Sequence, residues 1–279
     1  MNKKFLCGVA ALIVAGSSQA AFADDAPAAA AAPTPEFTIT GSAAVVSQYR
    51  FRGLTQSDNK PAVQASITVT DKSGFYVSMW GSSGAGNRID DGTGVFYASP
   101  NNGTEIDVYG GYSKTLAGFT LDGGAYGYIY PNEPLANLYE IYGDVSKSYG
   151  PIGVKVGLNW APKQHYFTAA GSEHHYSMYE YGELTYSPAK LPALTLHSHL
   201  GHTGGGLDFV KEYIDYTAGV GYKWKSLTFD ISAVGTNISK KDARSYVGTL
   251  GTPEITANAK TSIYRYGKAV PVFSITASF

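Results

Sequence analysis

The chain has 279 residues, 21 basic against 22 acidic side chains, a formal net charge of −1 and only 15% charged residues. That balance gives no support to a nucleic-acid partner, while 33 glycines and 22 tyrosines suit strands at a membrane–water interface, where the tyrosine ring is buried and its hydroxyl stays wet. The one cysteine, Cys7, falls in a segment expected to be removed, which excludes disulfides and thiolate chemistry from the mature chain.

Lys3 and Lys4 form a positive start, Phe5 to Gly16 is apolar but too short to cross a bilayer, and Ala21-Phe22-Ala23 is an A-x-A site. Residues 1–23 therefore read as a signal peptide cleaved after Ala23. Lys4-Phe5-Leu6 lacks the small residues that lipid attachment at Cys7 would need. Cleavage removes two basic residues and no acidic one, leaving 19 against 22 and a net charge near −3 over 256 residues. Beyond it there is no run of 18 apolar residues, so any membrane span must be built from strands. Residues 24–36 begin as DDAPAAAAAPTP, an Ala/Pro-rich periplasmic linker, and 37–279 form one domain.

The first run, Phe37 to Arg52, alternates Phe37, Ile39, Gly41, Ala43, Val45, Ser47, Tyr49 and Phe51 with a face that includes Thr38, Thr40, Gln48, Arg50 and Arg52. In the second, Val63, Ala65, Ile67 and Val69 oppose Gln64, Ser66, Thr68 and Thr70, before a turn at Asp71-Lys72-Ser73-Gly74. The third, Phe75 to Ser82, could present either face to lipid. Then Ile106, Val108 and Tyr112 oppose Glu105, Asp107 and Tyr109, and Phe119, Leu121, Ala125 and Ile129 oppose Thr120, Asp122, Tyr126 and Tyr128.

The second half continues the pattern. Tyr139, Ile141 and Val145 oppose Glu140, Tyr142 and Asp144; Val154, Val156, Leu158 and Trp160 oppose Lys155 and Asn159. A weaker eighth run spans Tyr176 to Tyr186, with Glu180 and Glu183 on opposite faces, so that one must sit near a rim or a bulge must shift the register. Leu194, Leu196 and Leu200 oppose Thr195, His197 and His199. Runs at Ile214 to Trp224 and Leu227 to Ser232 follow, the latter with Asp230 on its polar face. The last, Pro271 to Phe279, alternates Phe273, Ile275, Ala277 and Phe279 with hydroxyls. Its terminal aromatic and apolar alternation resemble an assembly signal (Phe273, Ile275, Phe279) for the barrel-assembly machinery.

These twelve runs, with ten or fourteen also compatible, predict an all-β fold: a transmembrane antiparallel up-and-down β-barrel in the bacterial outer membrane, in contact with its lipid. Periodicity alone equally fits a soluble barrel with the apolar face inside. A charge facing lipid near the midplane costs about 2–4 kcal/mol, so one-sided charge is what a membrane barrel predicts; the closing Phe279, the export signal and the Gly/Tyr richness tip the reading. Connections around 71–74, 116–118, 147–151, 187–193 and 223–226 are short and alternate with longer ones, as short periplasmic turns and longer extracellular loops do.

Ser47-Gln48-Tyr49-Arg50-Phe51-Arg52-Gly53-Leu54-Thr55-Gln56-Ser57 followed by Pro61-Ala62-Val63-Gln64 resembles the opening motif of the TorF-type porin family. Gly74 to Ser82, Glu105 to Tyr112 and Tyr139 to Tyr142 resemble its next motifs, over about residues 40–160; the stretch Arg88 to Gly103 is longer than in that family. The resemblance implies an outer-membrane barrel acting as a porin.

The function expected is a porin-like channel for passive diffusion of small polar solutes or ions, with no enzyme activity, cofactor or metal. Arg50, Arg52, Glu105, Asp107, Asp122, Glu140, Asp144, Lys155 and Asp230 are the expected pore-lining residues. They form either a charged constriction that sets ion preference or a salt-bridged plug. The excess of acids hints at cation preference. His174, His175, His197, His199 and His202 lack a carboxylate at diagnostic metal-ligand spacing. A hydrolase would have to use His197-Ser198-His199 and the pair His174-His175, but adjacent strand residues point to opposite faces, so Ser198 cannot pair with His197 or His199. A non-conducting structural or adhesive barrel is the remaining alternative.

Overall fold

The structure, a computed structural model, describes residues 36–84, 88–90, 96–98, 103–131, 136–169, 174–208, 210–243 and 264–279. The expected signal peptide (1–23) and the linker up to residue 35 lie outside the described residues. In chain order the elements are β1 (Phe37–Val46), β2 (Arg50–Phe51), β3 (Leu54–Thr55), β4 (Ala62–Asp71), β5 (Phe75–Ser83), β6 (Arg88–Asp90), β7 (Phe96–Ala98), β8 (Thr104–Leu116), β9 (Phe119–Ile129), β10 (Leu138–Tyr149), β11 (Ile152–Ala161), a short helix α1 (His165–Ala169), β12 (Ser177–Tyr186), β13 (Leu194–Gly205), β14 (Tyr213–Trp224), β15 (Leu227–Thr236) and β16 (Val270–Ser278).

Twelve strands form one closed antiparallel barrel, in the order β1-β16-β15-β14-β13-β12-β11-β10-β9-β8-β5-β4. Neighbours in sequence are neighbours in space, and β1 closes on β16 with Ser42 opposite Ser278 and Val46 opposite Ser274. Closure leaves no unpaired sheet edge, a condition that any strand-built membrane span must meet. Connections of 72–74, 117–118, 150–151, 187–193 and 225–226 mark a short-turn end; 47–61, 84–103, 130–137, 162–176, 206–212 and 237–269 mark a long-loop end. At 117–118, Ala117 and Gly118 both take positive φ, 51° and 77°, which matches the strand twist in a two-residue hairpin.

The apolar face points outward. On β11, Ile152, Val154, Val156, Leu158 and Trp160 are all exposed, while Lys155 between them faces the interior. The same holds around the wall, from Val63, Ile67 and Val69 on β4 to Phe273 and Ile275 on β16. Phe75, Val77 and Met79 also point outward, which settles the face of β5. A continuous exposed apolar belt is the inverse of a soluble barrel and is the surface that lipid covers. Phe75, Phe119, Tyr149, Tyr186, Trp224 and Phe279 ring the short-turn end. There the Lys147 ammonium lies 3.9 Å from the Phe119 ring centroid, an arrangement suited to a membrane interface.

One expected boundary is wrong. The first run was expected to continue as a strand to Arg52, but β1 ends at Val46, and residues 47–61 turn into the barrel. Their side chains join Trp80, Tyr128, Tyr130, Leu138 and Phe167 in a buried cluster. The hydrophobic core of this protein is therefore inside the barrel at its long-loop half, built from aromatics, each of which buries about 150–250 Å².

Candidate functional site

The inward segment is held in shape by its own sequence. β2 and β3 form a minimal hairpin, Arg50 opposite Thr55 and Phe51 opposite Leu54. Its two central residues, Arg52 (φ 43°) and Gly53 (φ 77°), both lie in the left-handed region, the signature of a type I′ turn. Glycine is required at 53 on a second count: a β-carbon there would stand 2.6 Å from the Gly235 carbonyl oxygen on β15. The base is stapled by Tyr49 N–H to Ser57 Oγ at 2.9 Å and Gln56 N–H to Tyr49 O at 2.8 Å.

From this hairpin, side chains reach several strands. The Tyr49 hydroxyl donates to Glu105 on β8 at 3.0 Å, and its ring tilts against Trp80 on β5 at 5.4 Å. Phe51 meets Tyr128 on β9 edge-on at 6.2 Å. Arg52 donates from Nη2 to both carboxylate oxygens of Glu140 on β10, each at 2.8 Å, with its guanidinium 4.1 Å from the Tyr179 ring centroid on β12. Glu140 also accepts from the Tyr128 hydroxyl at 3.0 Å and from Asn159 Nδ2 at 2.9 Å. Both members of the pair are buried, so each depends on the other to offset its desolvation.

Arg50 faces the other way. It donates to the carbonyls of Gly53 (2.7 Å), Tyr266 (3.1 Å) and Lys268 (3.2 Å) and to Asn59 Oδ1 (2.8 Å). Burial among neutral acceptors draws its guanidinium down to about 10, which still leaves it charged at neutral pH. Arg265 adds an ion pair to Asp58, so the hairpin is fastened to the turn that precedes β16.

Toward the short-turn end the interior is polar and partly accessible. Asp122 accepts from the Tyr76 hydroxyl at 2.7 Å; Lys155 stands 4.0 Å from both Asp144 and Glu183; Asp230 meets His197 at 2.6 Å and Ser232 at 2.5 Å. The Lys155 and His197 side chains retain 30% and 28% of their exposure, against 2% for Arg52, so water reaches this half but not the hairpin level. The residues named from sequence thus fall into two tiers: Arg52, Glu105, Asp107 and Glu140 buried at the hairpin, and Asp122, Asp144, Lys155 and Asp230 below it.

Sequence reasoning missed part of each tier. Tyr49, Tyr128, Asn159 and Tyr179 complete the upper one. In the lower one His199 sits between Glu183 (3.4 Å) and Asp215 (3.3 Å) and touches the Tyr179 hydroxyl at 2.6 Å. Glu183 and His199 had the right strand phase to be found; Tyr49 and Tyr179 did not carry a charge to draw attention. The Glu180/Glu183 conflict resolves without a bulge. Glu183 faces inward and Glu180 outward, three residues from the long-loop end of β12, where it meets His202 at 3.0 Å. Ser198 is on the outer face and His197 and His199 on the inner one, so no serine–histidine pair forms there.

Residues 29–279 match the family model described as bacterial protein of unknown function, Gcw_chp. The chain belongs to the Gcw_chp family. Among solved structures, the KdgM porin aligns with TM-score 0.51 and 12% identity over 86% of this chain and 98% of that one. The NanC porin aligns with TM-score 0.49 and 12% identity over 87% and 99%, and an outer-membrane channel from Pseudomonas putida F1 with 0.48 and 10% over 88% and 95%. At such identities the likeness to KdgM is one of fold. No curated protein matches the sequence.

In this Gcw_chp chain, three stretches far apart in sequence meet in one place: 47–57 supplies Tyr49 and Arg52, 105–112 supplies Glu105, and 139–142 supplies Glu140. Chemically the arrangement can narrow the barrel, hold fixed charge inside it and order water and ions in the accessible tier. In the upper tier Glu140 is matched to Arg52, the Tyr128 phenol and the Asn159 amide, and Glu105 to the Tyr49 phenol, bonds that hold the hairpin in place.

Proposed function

We propose that the protein is an outer-membrane, porin-like channel for passive diffusion of small polar solutes or ions, with the 47–61 hairpin as its constriction. The observation that carries this reading is the water-accessible, charged lower tier inside a barrel whose outer face is apolar. The TorF-type motif resemblance in 47–57 supports it, as does a fold shared with a porin. On this reading Asp122, Asp144, Lys155 and Asp230 line the path, Arg52–Glu140 sets its narrowest level, Arg50 anchors the hairpin, and the acid excess favours cations. Cleavage of 1–23 would deliver the chain to the periplasm, and the closing strand, through Phe273, Ile275 and Phe279, would engage the barrel-assembly machinery.

Planar-bilayer recording of the purified full chain is the test. Steady single-channel current with a reversal potential displaced toward the cation supports the proposal. Silence both in the native protein and in a variant with 49–59 replaced by a short Gly/Ser linker would overturn it. One observation favours a second reading: the burial of the hairpin suits a closed, non-conducting barrel. Silence in the native protein with current in the linker variant would select a plugged channel that needs hairpin displacement.

A further inference from the structure

Two features of the outer face coincide on β8, β9 and β10. The first is a pair of lysines near the short-turn end. Alternation places Lys114 on that face with Val108 and Leu116, and Lys147 with Ile141, Val145 and Tyr149. Lys114 is opposite Leu121, Leu121 is opposite Val145, and the Lys147 ammonium leans back over the Phe119 ring on β9. The two stems thus rise two strand spacings apart, about 10 Å. Among the described residues neither lysine has an ion pair, whereas Lys72 meets Glu36 and the outward Glu180 meets His202. The acids of these three strands face the interior. The second feature is a low stretch of wall one step further from the rim. There Gly123 and Gly143 are opposite each other, and a β-carbon at either would meet only a backbone carbonyl oxygen, of Tyr142 at 3.5 Å or of Asp122 at 3.8 Å. No side chain covers them, and the depression runs into an outer groove of about 510 Å³ lined by Ile141, Gly143, Leu158, Trp160 and Met178.

We propose that this face binds one anionic glycerophospholipid of the leaflet at the short-turn end, its phosphate held by Lys114 and Lys147 and an acyl chain laid over Gly123 and Gly143 into the groove. Two ammonium groups without a counter-charge at a membrane interface call for an anion, and lysine stems reach headgroup level by snorkelling. The chain length fits. From Lys147 to Ile141 is about 20 Å of strand, or about 15 Å of depth at a tilt of about 40°, half of a hydrocarbon core about 30 Å thick. The anion must be one that lacks its own amine. Phosphatidylethanolamine carries an ammonium beside its phosphate and leaves the lysines unmatched, whereas phosphatidylglycerol does not. The site goes beyond the channel reading, because it lies outside the barrel and can fill whether or not the barrel conducts.

The experiment is native mass spectrometry of the purified full chain in detergent micelles supplied with equal amounts of phosphatidylglycerol and phosphatidylethanolamine. One phosphatidylglycerol is expected to be retained ahead of phosphatidylethanolamine. Lys114→Gln combined with Lys147→Gln should weaken that retention ~30-fold, the effect of two lysines at an anionic headgroup. Gly143→Val, which fills the groove and leaves both lysines in place, should weaken it as well. Folding of each variant is checked by the gel mobility shift between unboiled and boiled samples; should Gly143→Val fail to fold, Gly123→Val takes its place with the same loss expected. Equal retention of the two lipids by the native protein, or undiminished phosphatidylglycerol in either folded variant, overturns the site. A lipid-free dimer overturns it too and assigns the face to a second copy of the chain.

Discussion

Gly41 lies beneath the ring of Phe279: a β-carbon at position 41 would stand 2.6 Å from two of its ring carbons. The same residues exchange backbone hydrogen bonds, Gly41 N–H to Phe279 O at 2.8 Å and Phe279 N–H to Gly41 O at 3.0 Å. This is the β1–β16 seam, where the two ends of the barrel sequence meet, so crowding there acts on closure itself. Gly41→Val forces carbon into the ring and against the Ser66 carbonyl, 2.9 Å from that β-carbon position. It is expected to cost about 1–3 kcal/mol, the usual range for overpacking. In a Phe279→Ala background the penalty shrinks but does not vanish, since the Ser66 carbonyl remains. A double-mutant cycle in urea, read in lipid vesicles, checks this; equal penalties in both backgrounds would remove the ring contact from the argument.

A second close approach recurs inside the barrel. The ring of Tyr181 on β12 lies over Gly157 on β11, and that of Tyr179 over Gly201 on β13. Each glycine makes room for the ring from the next strand to lie across the wall. Gly157→Val should therefore expel the Tyr181 ring, and with it the Tyr181–Asp144 contact. The expected loss is again about 1–3 kcal/mol, and Tyr181→Ala should tolerate the valine. Heat-modifiability midpoints of the two single variants and the double variant measure it.

These two motifs show what was legible in the sequence and what was not. The outward stripe was legible: on β11 the set Val154, Val156, Leu158 and Trp160 needs only period-two alternation to be found. The tyrosines were half read. Tyr149 and Tyr186 do sit outside at an interface, but Tyr76, Tyr142 and Tyr181 line the interior, where glycines rather than lipid explain them. The inward hairpin was hidden because alternation continues unbroken from Val45 through Ser47, Tyr49 and Phe51. What ends the strand is an Arg-Gly type I′ turn, and arginine is not a residue that announces a left-handed position. The partner of Arg52 lies 88 residues away, so each half of that pair was visible as a charge and their meeting was not.

Acid should loosen one long loop selectively. Asp242 accepts from the Ser239 amide and hydroxyl, each at 2.8 Å, and pairs with Lys211 at 3.0 Å; the Ser239 contacts and Lys211 together pull its carboxyl down to about 2. A carboxyl lowered on folding stabilises above its unfolded value, near 3.8, and that contribution is lost as pH falls through the folded one. Protection of the Ser239 amide against hydrogen exchange is thus expected to be full above about pH 4 and to decline toward pH 2. Asp242→Asn should remove this pH step; a step of the same size in that variant would assign it elsewhere.

The Arg52–Glu140 pair separates backbone from side-chain effects at the hairpin tip. Glu140→Gln leaves the guanidinium buried beside a neutral amide, and loss of one partner of a buried pair costs about 3–5 kcal/mol. Arg52→Ala and Arg52→Gly both strand Glu140, yet they differ at the backbone. With φ at 43°, alanine keeps the left-handed strain that glycine relieves, so Arg52→Gly should be more stable than Arg52→Ala by about 1 kcal/mol. Arg52→Met combined with Glu140→Gln removes both charges and should cost less than the sum of the single changes. Urea unfolding in vesicles orders the four variants, and bilayer current reads the same series as hairpin looseness. If Glu140→Gln matches the native protein in both measurements, the pair does not hold the hairpin. The anchoring then passes to Arg50 and its carbonyl acceptors at Gly53, Tyr266 and Lys268.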